Sequence, residues 1–195
     1  GDATINVDRI SVGTTGVERL GITSIGTTRL TTTGANRTLE LAGMNLTGNP
    51  TLNIVNPLTI NGPITQGSAG MGITKSTGLA QLTIGGSTSN TFTGITRINA
   101  GPVELNKPAN VVAVGGDLQV FGGSVKLLAD GQIADTGAVT LANAGTLLDF
   151  AGHSDTFGAM SITGNASATV GVTGVPSSLG SAVLRATSLV ISTGG

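Results

Sequence analysis

Eight short stretches of this chain alternate apolar, polar, apolar. They are Leu39-Glu40-Leu41, Leu58-Thr59-Ile60, Leu82-Thr83-Ile84, Val103-Glu104-Leu105, Leu118-Gln119-Val120, Val125-Lys126-Leu127, Val139-Thr140-Leu141 and Met160-Ser161-Ile162. A period of two over a few residues, bounded by Gly and Asn, is the signal of a short β-strand with one face buried. The triplets also keep a distance from one another. Leu82 to Val103, Leu118 to Val139 and Val139 to Met160 are each 21 residues, while Leu39 to Leu58 is 19 and Leu58 to Leu82 is 24. A second set, Val125, Leu147 and Ala168, steps by 22 and 21. One such unit cannot bury its own apolar face, but a stack of them can, and self-similarity at this period is the mark of a solenoid.

The expected fold is therefore all-β: a right-handed parallel β-helix with coils of about 21 residues, each strand pairing with the coils above and below about 4.8 Å away. Like residues then stack on like, and Leu39, Leu58, Leu82 and Val103 form one interior aliphatic ladder. An antiparallel sandwich or barrel also fits strands about every 8–12 residues. The recurrence near 21 and the scarcity of charged edge-strand guards favour the solenoid.

Composition fits the same picture. Of 195 residues, 32 are Gly, 30 Thr, 15 Ser and 13 Asn, whereas Glu and Lys number three each. Thr suits strands, Asn tolerates left-handed turns and Gly permits tight corners. A helical bundle needs Ala, Leu, Glu and Lys around its apolar stripes. A net charge of −1 lacks the positive field of a nucleic-acid binder. No apolar run reaches the roughly 18 residues of a membrane helix. Cysteine is absent, which excludes disulfides and thiolate metal sites. The chain opens at Gly1 and ends Thr193-Gly194-Gly195, and residues 1–195 are read as a single β-solenoid that is a piece of a longer or processed protein.

The run from Leu82-Thr83-Ile84 through Asn90-Thr91-Phe92-Thr93-Gly94 and Ile98-Asn99-Ala100-Gly101 to Val103-Glu104-Leu105 resembles the autotransporter-associated β-strand repeat. Phe92 stands for the family's Tyr, Pro102 stands where Thr is usual, and the turn before Asn90 is longer. Gly116-Asp117-Leu118-Gln119-Val120, the run from Val125 to Thr136, Gly145-Thr146-Leu147-Leu148-Asp149-Phe150-Ala151-Gly152 and Asn56-Pro57-Leu58-Thr59-Ile60-Asn61-Gly62-Pro63-Ile64 are similar to family sequences too. The resemblance spans about 45–172 and is best over 79–170. It implies a bacterial, secreted or cell-surface protein with a β-helical passenger. The family's membrane barrel is not in this sequence.

Residues with catalytic chemistry are few. His153 is the single histidine. His153, Ser154 and Asp155 are adjacent, whereas a catalytic triad is assembled from separated segments, so His153 reads as a solvated turn residue. The carboxylates have a periodic aspect. Asp117, Asp135 and Asp155 are 18 and 20 residues apart, and Asp130 and Asp149 are 19 apart. Neighbouring coils would bring such residues together, as a glycosidase pair or as oxygen ligands for a hard cation. Turn chemistry accounts for each Asp singly, and a sugar cleft wants aromatic platforms, while Trp and Tyr are absent. Arg9, Arg19, Arg29 and Arg37 suggest a sparse solvated column, Arg9 above Arg29 and Arg19 above Arg37. Phe92, Phe121, Phe150 and Phe157 are expected to pack inside. No charged or proline-rich cap is evident at either terminus.

The functional expectation is a non-catalytic structural rod or fibre module, with no catalytic, cofactor-binding or metal residue assigned. Its expected partners are itself or adjoining coils of the parent chain, not nucleic acid. The alternative is an adhesin gripping a glycan or host surface along its lateral face. A polysaccharide-active enzyme built on Asp135 and Asp149 is the reading of a third class.

Overall fold

The computed structural model describes residues 2–6, 16–34, 37–169 and 184–192. Among them there is no helix, and the chain alternates between two parallel nine-stranded sheets. The first stacks Ala3–Asn6, Arg29–Thr33, Thr51–Ile54, Ile73–Thr77, Thr96–Ile98, Leu118–Val120, Val139–Leu141, Asp155–Thr163 and Leu184–Ser192. The second stacks Gly16–Ile25, Arg37–Leu46, Leu58–Ile60, Leu82–Gly85, Pro102–Asn106, Ser124–Leu127, Leu147–Asp149 and Ser167–Thr169, with Ile64–Gln66 also paired to Arg37–Leu46. Each turn of chain thus adds a strand to both sheets, and the fold is a parallel β-solenoid.

The repeat is close to 22 residues. In the first sheet Leu30 pairs with Leu52, Ile73 with Thr96, Thr96 with Leu118, Leu118 with Val139 and Val139 with Met160, steps of 21 to 23. The terminal steps are longer: Ala3 to Leu30 is 27 and Met160 to Leu189 is 29.

The predicted ladder forms in the second sheet. Leu39, Leu58, Leu82 and Val103 are consecutive register partners, each no more than 1% exposed. Every buried Leu or Val here removes apolar surface from water worth about 1.5–3 kcal/mol. One step was misplaced by a residue. Val125 pairs with the buried Leu148, and Ala168 follows Leu148, while the half-buried Leu147 lies against Ser124. The two leucines are adjacent, and only the pleat decides which points inward.

Glycine makes the corner between the sheets. Gly101 and Gly123 both have positive φ, 69° and 78°, and a Cβ on Gly123 would run into the carbonyl oxygen of Gly101 one level below. Only glycine meets both conditions.

Several coils also have a third side, between their strand of the second sheet and the next strand of the first. Met44–Leu46 pairs with Ile64–Gln66 there, and an isolated bridge joins Val114 to Ile133. Between these, the Thr91 N–H donates to Ile64 and the Asn90 N–H to Val112. Phe92, Phe150 and Phe157 fill the interior, the last two stacked with centroids 6.1 Å apart. Phe121 is half-buried instead, and the Arg97 guanidinium lies 5.4 Å over its ring.

The outer face of the second sheet shows what the arginines do. Arg19, Glu40, Thr59, Thr83, Glu104, Lys126 and Asp149 are successive register partners. Arg19 therefore lies beside Glu40, at 3.0 Å, and not above Arg37. Arg37 instead pairs with Glu18. Charges of opposite sign alternate because like charges directly opposite each other on neighbouring strands repel. Asp8 and Arg9 lie outside the described residues, and Arg29 is in register with Thr51.

Candidate functional site

Beside the aliphatic ladders the interior holds buried polar groups, on the third side, at the corners of the coil and, for Lys75, on the first sheet. Lys75, Asn90, Lys107, Gln132 and Asp155 are all at most 5% exposed. Burying such groups is costly unless they are hydrogen-bonded, and each is placed to bond backbone groups of a neighbouring turn or corner. The Lys107 ammonium donates to the carbonyls of Gly85 at 2.6 Å, Thr88 at 2.8 Å and Gly62 at 3.4 Å. Lys75 donates to Ala100 at 2.6 Å and Gly78 at 3.0 Å. Loss of hydration lowers both amines to a pKa of about 8.

Asn90 works in both directions along the stack. Its Oδ1 accepts the Ile64 N–H of the preceding level at 2.7 Å, and its Nδ2 donates to the Ala113 carbonyl of the following level at 2.6 Å. Gln132 binds backward, accepting the Lys107 N–H at 3.0 Å and donating to the Lys107 carbonyl at 3.1 Å.

Asp155 completes this series and opens the site. Its Oδ2 accepts the N–H groups of Gln132 at 2.8 Å and Ile133 at 3.1 Å. Its Oδ1 is buried and has no hydrogen-bond partner. Burial raises its pKa to about 6; the N–H groups of Gln132, Ile133 and Thr156 pull the other way, and the charge of Asp135 adds to the rise. Beside it lies a cavity of about 330 Å³ lined by Asn110, Asp130, Gly131, Asp135, Ser154, Asp155 and Thr156. Asp130 clamps the same junction from the other level. Its Oδ1 accepts the Ser154 N–H at 2.8 Å and lies 3.3 Å from Nδ1 of His153.

The periodic carboxylates are thus partly brought together. Asp130, Asp135 and Asp155 share this cavity. Asp149 is not with Asp130; it sits on a strand of the second sheet and accepts the Ala151 N–H of its own turn at 2.8 Å. Asp117 accepts the Ala138 N–H at 2.9 Å. His153 is half-buried, and its carboxylate partner is Asp130 of the preceding level, not the adjacent Asp155. Among the described residues no three His, Asp or Glu side chains are grouped to hold a metal ion. A buried carboxyl with a pKa near 6 exchanges its proton near neutrality, and that is the chemistry this corner offers.

A second hollow, of about 280 Å³, lies on the flank between Asn49, Gly70, Gly72, Thr74, Gly94, Ile95 and Arg97. Arg97 is fixed there by Gln119, whose Oε1 accepts from Nη2 at 2.9 Å and from Nε at 3.2 Å.

Lys75, Lys107 and Gln132 were not foreseen from the sequence. Each falls in a segment of unlike composition, and the available signal was a lone long polar residue one period from another. Compared with protein-family models, curated proteins and solved structures, the chain matches none.

Proposed function

We propose that this chain is a structural module of a bacterial cell-surface or extracellular β-helical rod, similar in kind to the passengers of the autotransporter-associated repeat proteins. In this reading it has no catalytic role and extends by stacking on adjoining coils of its parent chain or on a second copy. The observation that carries the proposal is the last strand of the first sheet. Leu189, Val190 and Ile191 are 56%, 56% and 67% exposed, although Leu189 and Ile191 continue the register of Met160 and Ile162. Among the described residues no strand pairs with its far edge, and such an unpaired row of donors and acceptors is a template for another parallel strand. At the opposite end Gly16–Ile25 exposes Val17, Leu20 and Ile22. Head-to-tail contact between unlike ends does not close on itself and so builds filaments.

Sedimentation over a concentration series, with electron microscopy, tests the stacking. Linear oligomers that shorten in an Ile191→Lys variant are expected; a strictly monomeric profile at all concentrations rules out self-stacking. Protease shaving of intact source cells tests the location, with loss of the protein from untreated-permeability cells expected.

The flank hollow supports the alternative, an adhesin. A fixed guanidinium beside glycine backbone suits an acidic glycan. Glycan-array binding abolished by Arg97→Gln favours that reading over a plain strut.

A further inference from the structure

We propose that Asp155 is a proton-operated stitch between the last described level of the solenoid and the levels before it. Asn90 holds the equivalent position in an earlier coil. Both side chains are buried on the third side of a coil, and both accept backbone N–H groups from the level before. Asn90 also has an amide N–H₂ to give to the level after. Asp155 has an oxygen in place of that group, and Oδ1 is buried with nothing to bond. An ionised carboxylate only accepts, but a protonated one also has an O–H to donate. Protonation therefore makes Asp155 the chemical equivalent of Asn90, with one arm to each side. The level after it is Leu184–Ser192, whose first register pair is Leu184 with Asp155 itself.

Among the described residues, the charged and titratable groups around Asp155 are Asp130 and Asp135 of the preceding loop and His153 of its own turn; Arg185 stands on the following strand at the register position of Thr156. Asp135 disfavours a second charge nearby.

The sign follows from the direction of the shift. The folded carboxyl has a pKa of about 6 against an ordinary 3.8, so folding favours the protonated form. The stabilisation is complete below pH 3.8 and is lost as pH rises through about 6.

Hydrogen exchange of the Leu184–Ser192 segment in the full chain, corrected for intrinsic rates, reads the stitch directly. Protection is expected to be about tenfold greater at pH 5 than at pH 7.5. Asp155→Asn, which carries the amide of Asn90, should hold high protection at both pH values. His153→Gln should keep the wild-type response. A wild-type protection independent of pH overturns the proposal, as does a response that persists in Asp155→Asn or vanishes in His153→Gln.

Discussion

Two sides of the same coil are built on opposite rules. On the second sheet, Leu39, Leu58, Leu82, Val103, Val125 and Leu148 follow one another in register, and any level resembles the next. On the third side no two buried polar groups are alike: Asn90 bridges both neighbours, Lys107 gathers three carbonyls, Gln132 grips Lys107, and Asp155 takes two N–H groups. Aliphatic contact is non-directional and tolerates exchange of similar volumes. Hydrogen bonds are directional, and a buried polar atom that loses its partner is heavily penalised. The ladder therefore supplies stability at every level, whereas the polar corner ties particular levels to each other.

Substitutions at three positions probe that contrast. The largest effect is expected from Leu105→Ala, which opens a cavity in the neighbouring buried row of the same sheet, Ile84, Leu105 and Leu127, and should cost about 2–5 kcal/mol in urea unfolding, whereas Leu105→Met should cost less than about 1.5 kcal/mol. If both cost the same, the ladder is as specific as the corner and the contrast fails. Next comes Lys107→Met, which keeps the stem and removes the donor from three carbonyls; a loss of about 1–3 kcal/mol is expected. It has a second signature. Because the folded amine has a pKa of about 8 against 10.5, its burial penalises the charged form. Wild-type stability should then climb as pH rises from 8 towards 10.5, and Lys107→Met should blunt that climb. The smallest effect belongs to the outer face, where Arg19 is 70% exposed in its pair with Glu40. Arg19→Ala should change the free energy of urea unfolding by less than about 0.5 kcal/mol.

The same contrast explains what could be read in the chain beforehand. The ladder writes itself into the sequence as Leu-x-Leu triplets, so its members and most of its steps were legible. The error at Leu147 arose where two leucines adjoin and either satisfies the period. The third side left no such trace. Its segments run Met44-Asn45-Leu46, Ile64-Thr65-Gln66, Val112-Ala113-Val114 and Gln132-Ile133-Ala134, without a shared pattern. Its polar residues are defined by what they bond a turn away. For the carboxylates, spacing pointed to Asp135 with Asp155, which share a cavity, but also to Asp130 with Asp149, which do not. The jitter of the repeat made a separation of 19 as plausible as one of 22. The charged column on the outer face was misread for a related reason: spacing alone does not say whether Arg19 meets Arg37 or Glu40.

The short step between paired strands has a consequence for how the molecule comes into being. Most sheet proteins join segments far apart in the chain and fold slowly, since a long loop must close before any contact rewards it. Here Val103 finds Val125 only 22 residues on, about a ninth of the chain, a relative contact order usual for helical bundles. Assembly can therefore begin wherever two adjacent coils first meet and spread outward a coil at a time, so that an all-β chain has the search problem of a helical one.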